Sequence, residues 1–248
     1  MRFIAKTCCY LIVLLLAGLW LKPPVAFVPS PVVDVPWSIN PSRVIETKNT
    51  SSNISVEESQ FGGFAVFLTT HLANITPKML HWFYRHQADR TATYAQENHS
   101  WFKFAHPNAH SEIMISDSPD PYSDQLMSGV TFVQKEVIGD HPLTVQYRIK
   151  SFGDEGMTLE LLHSGYAIGL FDFQFTHSGA GTRVTLNGNV GLEIPVIGPI
   201  SNFYIFNKVY PKEILNNWMQ HLMESFEHKQ QLIPQLYSQK DQQTYTLS

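Results

Sequence analysis

The sequence predicts an α+β fold in which a curved antiparallel sheet wraps a long C-terminal helix, and three observations predict it. One strand and one short helix open the globular part, between about Phe61 and Gln87. A long stretch of strand-and-turn texture follows, from about Thr93 to Ile194. An extended amphipathic segment then closes the chain, starting near Pro211 and running to about Leu236.

Each element has a local cause. GGFAVFLTTHL is rich in the aromatic and β-branched residues that suit a strand. Thr76-Pro77 starts a helix, PKMLHWFYRHQ, with threonine as N-cap and proline at the first helical position. Six strand segments follow: TYAQENHSWFKFA, SEIMIS, GVTFVQKEVIG, LTVQYRIKSF, MTLELLHSGYAIGLFDFQFTH and TRVTLNGNVGLEI. Turn clusters such as SDSPDPYSD, GDHP, GDEG and SGAG punctuate this stretch. Phe171, Phe173 and Phe175 alternate with Asp172, Gln174 and Thr176, the pattern of a half-buried strand. On the closing helix Ile214, Leu215, Trp218, Met219, Leu222 and Phe226 form one apolar stripe. This order of elements is that of the helix-grip (START-like) fold, which leaves an apolar cavity between sheet and helix.

The remainder of the chain sets bounds. A length of 248 residues suits one large domain. The chain has 17 Lys and Arg against 21 Asp and Glu, and Arg2, Lys6 and Lys22 belong to the leader, so the globular part is more acidic still. That balance excludes nucleic acid as a partner, because such binding rests on phosphate neutralisation by clustered cations. Residues 1–22 read as a signal peptide or signal anchor: positive residues precede an apolar run from Thr7 to Leu21, shorter than the roughly 20 residues of a usual spanning helix. The basic amino end places the globular part on the non-cytoplasmic side, membrane-anchored through the N-terminal segment or secreted. Residues 23–59 read as a proline-rich and polar linker, 60–238 as the domain, and 239–248 as a disordered tail. Cys8 and Cys9 are the only cysteines and lie in the leader, so a metal in the domain must be held by histidine and carboxylate.

The chemistry concentrates in WFKFAHPNAHSE, Trp101 to Glu112, where His106, His110 and Glu112 stand around a turn-forming proline among aromatics. Imidazoles beside apolar side chains suit a metal or acid–base site at the mouth of a pocket. A second cue is His221, which opens HLMESFEH on the closing helix. Singly, each residue also has a plainer role: His106 as a turn histidine, His110 as a solvated strand residue, Glu136 paired with a cation on a strand face, His221 on the wet side of a helix.

TPKMLHWFYRH, WFKFAHPNAH, VQKEVIG and HLMESFEHKQQLIPQLY resemble, in the same order, segments of the 2,4-diacetylphloroglucinol hydrolase and phloretin hydrolase family, over roughly residues 75 to 237. The resemblance implies a START-like fold and a Zn2+ ion held by two histidines and two glutamates. It also implies cleavage of a carbon–carbon bond between an acyl group and a phenolic ring, a retro-Claisen hydrolysis. Carried over, the ligands are His106 or, with a different gap placement, His110, then Glu136 and His221. The second glutamate is replaced by Ser225, with Glu224 one step earlier. At about 100° per residue Ser225 projects to the cavity side between Ile214 and Trp218, His221 sits at the edge of the stripe, and Glu224 points away. Three protein ligands, His2Glu among them, suffice for a catalytic zinc. The implied partner is a hydrophobic aromatic or acyl small molecule. The alternative is a non-catalytic START-like module that binds a lipid or polyketide at a membrane.

Overall fold

The computed structural model describes residues 27–37 and 53–248. Among the described residues there are ten strands: β1 (Asn53–Glu58), β2 (Phe64–Ala73), β3 (Thr91–Tyr94), β4 (Glu97–Ser100), β5 (His110–Asp117), β6 (Thr131–Ile138), β7 (His141–Gly153), β8 (Gly156–His163), β9 (Tyr166–Ser178) and β10 (Gly181–Val190). The helices are α1 (Pro77–His86), α2 (Trp101–Ala105), α3 (Ile197–Tyr204) and α4 (Lys212–Tyr237), with a π-helical turn at Ile205–Val209. Eight strands form one antiparallel sheet in the order β1-β2-β10-β9-β8-β7-β6-β5, and β3 and β4 pair separately. Helix α4 crosses the sheet, touching β1, β2 and β6 as well as α1 and α2. The fold is α+β of the helix-grip kind, as the sequence predicts.

The predicted periodicities hold where burial tests them. Phe171, Phe173 and Phe175 of β9 face the core, and so do Ile214, Leu215, Trp218, Met219 and Phe226 of α4. Thr76 caps α1, its hydroxyl accepting from the Met79 amide at 3.3 Å.

Local boundaries differ from expectation in four places. The strand expected over 93–105 is a hairpin followed by helix α2, because the Ser100 hydroxyl accepts from the Lys103 amide at 3.1 Å and starts a helical turn. The single strand expected over 157–177 is two, β8 and β9, since Ser164 and Gly165 take positive φ of 51° and 84° and turn the chain tightly. The expected linker 23–59 contains core-forming residues: Val33, Val35 and Trp37 are buried, Trp37 packs against Tyr94 and Phe104, and β1 pairs with β2. The expected disordered tail 239–248 is anchored: Tyr245 and Leu247 are buried, and the Leu247 amide donates to the Thr93 carbonyl at 2.9 Å. In both terminal segments apolar side chains find the end of the core that a composition count overlooks. The expected leader at 1–22 lies outside the described residues. Among the described residues no helix is long and apolar enough to cross a membrane.

Candidate metal centre

Three elements bring side chains to one point. Helix α2 ends at His106, and the turn through Pro107 is closed by the Ala109 and His110 amides, both donating to the His106 carbonyl, at 3.0 and 2.9 Å. This delivers His110 as the first residue of β5, directly opposite Glu136 on β6. The ladder is irregular immediately afterwards, between His110 and Glu112. That irregularity turns Glu112 outward, where it pairs with Lys135 at 2.7 Å, while His110 stays buried. His221 comes from the middle of α4, on its sheet-facing side.

The three ligand-type atoms form a small triangle. His110 Nε2 lies 3.1 Å from His221 Nε2, His221 Nε2 lies 3.1 Å from Glu136 Oε2, and His110 Nε2 lies 3.5 Å from the same oxygen. From these edges, a point equidistant from the three atoms is about 1.9 Å from each, so the three atoms could together hold a zinc ion at its usual bond length of about 2.0–2.1 Å. All three residues are buried.

The tautomers fit the same reading. His110 Nδ1 donates to the Phe102 carbonyl at 2.7 Å, and the Phe102 ring stacks on the imidazole at 4.0 Å. With its proton on Nδ1, His110 turns a lone pair on Nε2 toward His221 and Glu136. Oε1 of Glu136 is buried with no hydrogen-bond partner among the described residues. A cation within the triangle would satisfy two imidazole lone pairs and a carboxylate that hydrogen bonds alone leave underused.

Burial keeps the His106 and His110 imidazoles neutral. Burial, and then the neighbouring His221, hold His106 and His110 well below the ordinary histidine value. Burial also brings His228 down to about 4, and its Nδ1 donates to the Glu224 carbonyl at 2.7 Å. A neutral imidazole is the ligating form.

The structure brings together three of the four residues singled out in the sequence. His110, Glu136 and His221 converge; His106 does not join them. Its Nε2 is 3.1 Å from Glu224 Oε2, and its ring stacks on His221 at 4.3 Å and 10°, which makes it a support for that imidazole rather than a member of the triangle. Glu224 points away from the cavity as the helical angle predicts, and its pairing with His106 is not visible in the sequence. Ser225 is buried on the cavity side, accepting from Lys229 Nζ at 2.8 Å and donating to the Ala105 carbonyl at 3.3 Å. Sequence reasoning missed Lys229, since a lysine before two glutamines looks like a wetted helix face.

A narrow cavity, partly open to solvent, lies between the sheet and α4, with His110, Glu136 and His221 in its wall. Its apolar walls include Phe132, Phe171, Phe173 and Trp218. A second, roomier and more open pocket meets His221 from the other side, lined by His106, Asn217 and Glu224. His221 therefore separates an apolar interior from a polar vestibule.

No family model matches this chain, and no curated protein matches it. Solved structures resemble it in backbone shape. One is Ara h 8.0201, at 12% identity and a TM-score of 0.46, over 70% of this chain and 99% of that one. Another is the major latex-like protein 151 of Panax ginseng, at 9% identity and a TM-score of 0.39, over 63% of this chain and 95% of that one. A third is a protein of Thermus thermophilus, at 13% identity and a TM-score of 0.39, over 66% of this chain and 95% of that one.

Proposed function

We propose that this protein is a zinc-dependent hydrolase that cleaves a carbon–carbon bond in an acylated phenol or β-diketone-like substrate. The observation that carries the reading is the triangle of His110 Nε2, His221 Nε2 and Glu136 Oε2 in the wall of an apolar cavity. These three residues would hold the ion. Bound there, zinc supplies a water of pKa about 7 and polarises a carbonyl oxygen.

The chain's own side chains do the remaining work. Phe102 fixes the His110 tautomer through its carbonyl and the ring plane by stacking. Phe171, Phe173 and Trp218 offer flat apolar surface to an aromatic body, and Ser225, smaller than glutamate, leaves room beside the triangle. The hydrolysis adds water across the acyl–ring bond: hydroxide goes to the acyl carbon, and the ring carbon that keeps the bonding pair takes up the proton. In this proposal the leader at 1–22 keeps the domain on the non-cytoplasmic side of a membrane.

The test is metal content with activity. The purified protein is expected to carry about one zinc per chain, as a site with three protein ligands predicts. His110→Ala and His221→Ala should each abolish it, along with release of acid from an acylated phloroglucinol. His106→Ala should keep the metal with about 10- to 100-fold lower affinity, the usual effect of losing a residue that supports a ligand. Zinc retained by His110→Ala and His221→Ala would refute the site.

Ser225 favours a second reading. It stands where the resemblance has a glutamate, and its hydroxyl is engaged by Lys229 and Ala105. A carrier of a hydrophobic small molecule needs only the cavity. Protein that stays metal-free in zinc-supplemented medium and co-purifies with a lipid would support the carrier.

A further inference from the structure

Lys229 is a buried cation that the proposed reaction does not use. It lies on α4 two turns beyond His221, is 5% exposed, and lines the same cavity as the triangle. Its Nζ donates to Ser225 Oγ at 2.8 Å, the one hydrogen bond it makes among the described residues. An ammonium has three N–H donors, so two are unspent. The rings of Tyr84 and Phe226 lie beneath it, each with its centroid 5.1 Å from Nζ, and these stabilise positive charge without accepting a hydrogen bond in the plane of the donors. Among the described residues Glu136 is the only carboxylate in the cavity wall, and no hydrogen bond joins it to Lys229: its Oε2 lies 3.1 Å from His221 Nε2 and its Oε1 has no partner.

Burying a lysine in such a wall is costly, and a methionine would fill the space without that cost. A neutral apolar ligand would leave the two donors unsatisfied. An oxyanion would accept from both, making charge-assisted bonds in a water-poor site. A divalent ion held by a single carboxylate adds further surplus positive charge, although this last point rests on the hydrolase reading.

We infer that Lys229 is the specificity-determining residue of the cavity and that it selects ligands carrying an oxyanion, a carboxylate or an ionised phenol, on an aromatic body. The anionic oxygen sits on the unspent donors of Lys229, and the aromatic body lies against Phe171 and Trp218. For a hydrolase, the substrate is thus an acidic acylphenol bound as its anion, with its acyl end left toward the triangle.

The test uses the protein with its metal removed by chelation and, separately, with zinc restored. Two matched pairs are titrated by calorimetry at pH 6, below the value of about 7 to which burial brings the Lys229 ammonium, so that it carries its charge: 3-phenylpropanoate against 3-phenylpropanamide, and 2,4-dinitrophenolate against 2,4-dinitroanisole. In metal-free protein at least one anion should bind roughly tenfold or more tightly than its neutral partner, the change expected of a charge-assisted hydrogen bond. Which pair shows it separates carboxylate from phenolate. Lys229→Met should reduce the ratio to about one, since a neutral partner makes no charge-assisted bond to lose. Equal affinities within both pairs, a preference that survives Lys229→Met, or no binding at millimolar concentration overturns the inference. The ratio in the unaltered protein decides even if Lys229→Met fails to fold. Anion preference without zinc binding would sink the hydrolase and leave Lys229 in place; zinc binding without anion preference would do the reverse.

Discussion

Lys229 shows how a single residue trades stability for a site. Burial brings its pKa from 10.5 down to about 7, with Glu136 opposing the shift. The other titratable groups that feel it are His106, His110 and His228. Between about pH 7 and 10.5 the unfolded chain holds the proton that the folded chain releases, so stability rises with pH across that window and the penalty is complete below it. Lys229→Met should therefore raise urea-measured stability at pH 7 by on the order of a few kcal/mol, with the gain shrinking toward pH 10. A gain of equal size at both pH values would contradict this account. Part of the site is legible at this scale: His221 at the edge of the apolar stripe and Ser225 on its cavity side both follow from helical angles. Whether His106 or His110 faces the centre does not, because the two flank a turn and the irregular start of β5 decides which imidazole is buried in the triangle.

At the scale of elements, helix α2 is one turn and a little more, too short to stand without its cap. Ser100 supplies that cap, and the Phe102 carbonyl that orients His110 belongs to the same turn. Ser100→Ala should cost about 1 kcal/mol of stability and weaken zinc binding, read by thermal unfolding and by metal titration of the same samples. Full zinc affinity in a destabilised variant would separate the cap from the site. The sequence disguises this element: the aromatic run WFKFA has strand composition, and its helical state depends on a cap and on Trp101, Phe102 and Phe104 all reaching the core. The split between β8 and β9 is hidden for a similar reason, since Ser164-Gly165 is a weak turn signal within a long apolar run.

At the scale of the whole molecule, the ends of the chain complete the core. Tyr245 packs edge-on against Trp101 at 4.9 Å, and residues 245–247 run beside β3, bonded through Thr93. Deleting residues 240–248 should remove about 1.5–3 kcal/mol for each of the two buried side chains, Tyr245 and Leu247, visible as a lower urea midpoint. An unchanged midpoint would mean that the tail is dispensable. Trp101 begins α2, so the same deletion should loosen the turn that carries Phe102 and His106.

The sequence by itself determined the order of elements, the alternation of β9, the apolar stripe of α4 and the residue types available to bind a metal. These are local properties, written in periods of two and 3.6 residues and in caps and turns. Tertiary structure alone decided that His110 and Glu136 stand opposite each other, that α4 lies at the rotation and height that bring His221 to them, and that Lys229 is enclosed. Those outcomes depend on strand register, which pairs residues 110 and 136 across a long loop, and on the seating of a helix against a sheet, which is set by contacts between residues more than 80 positions apart.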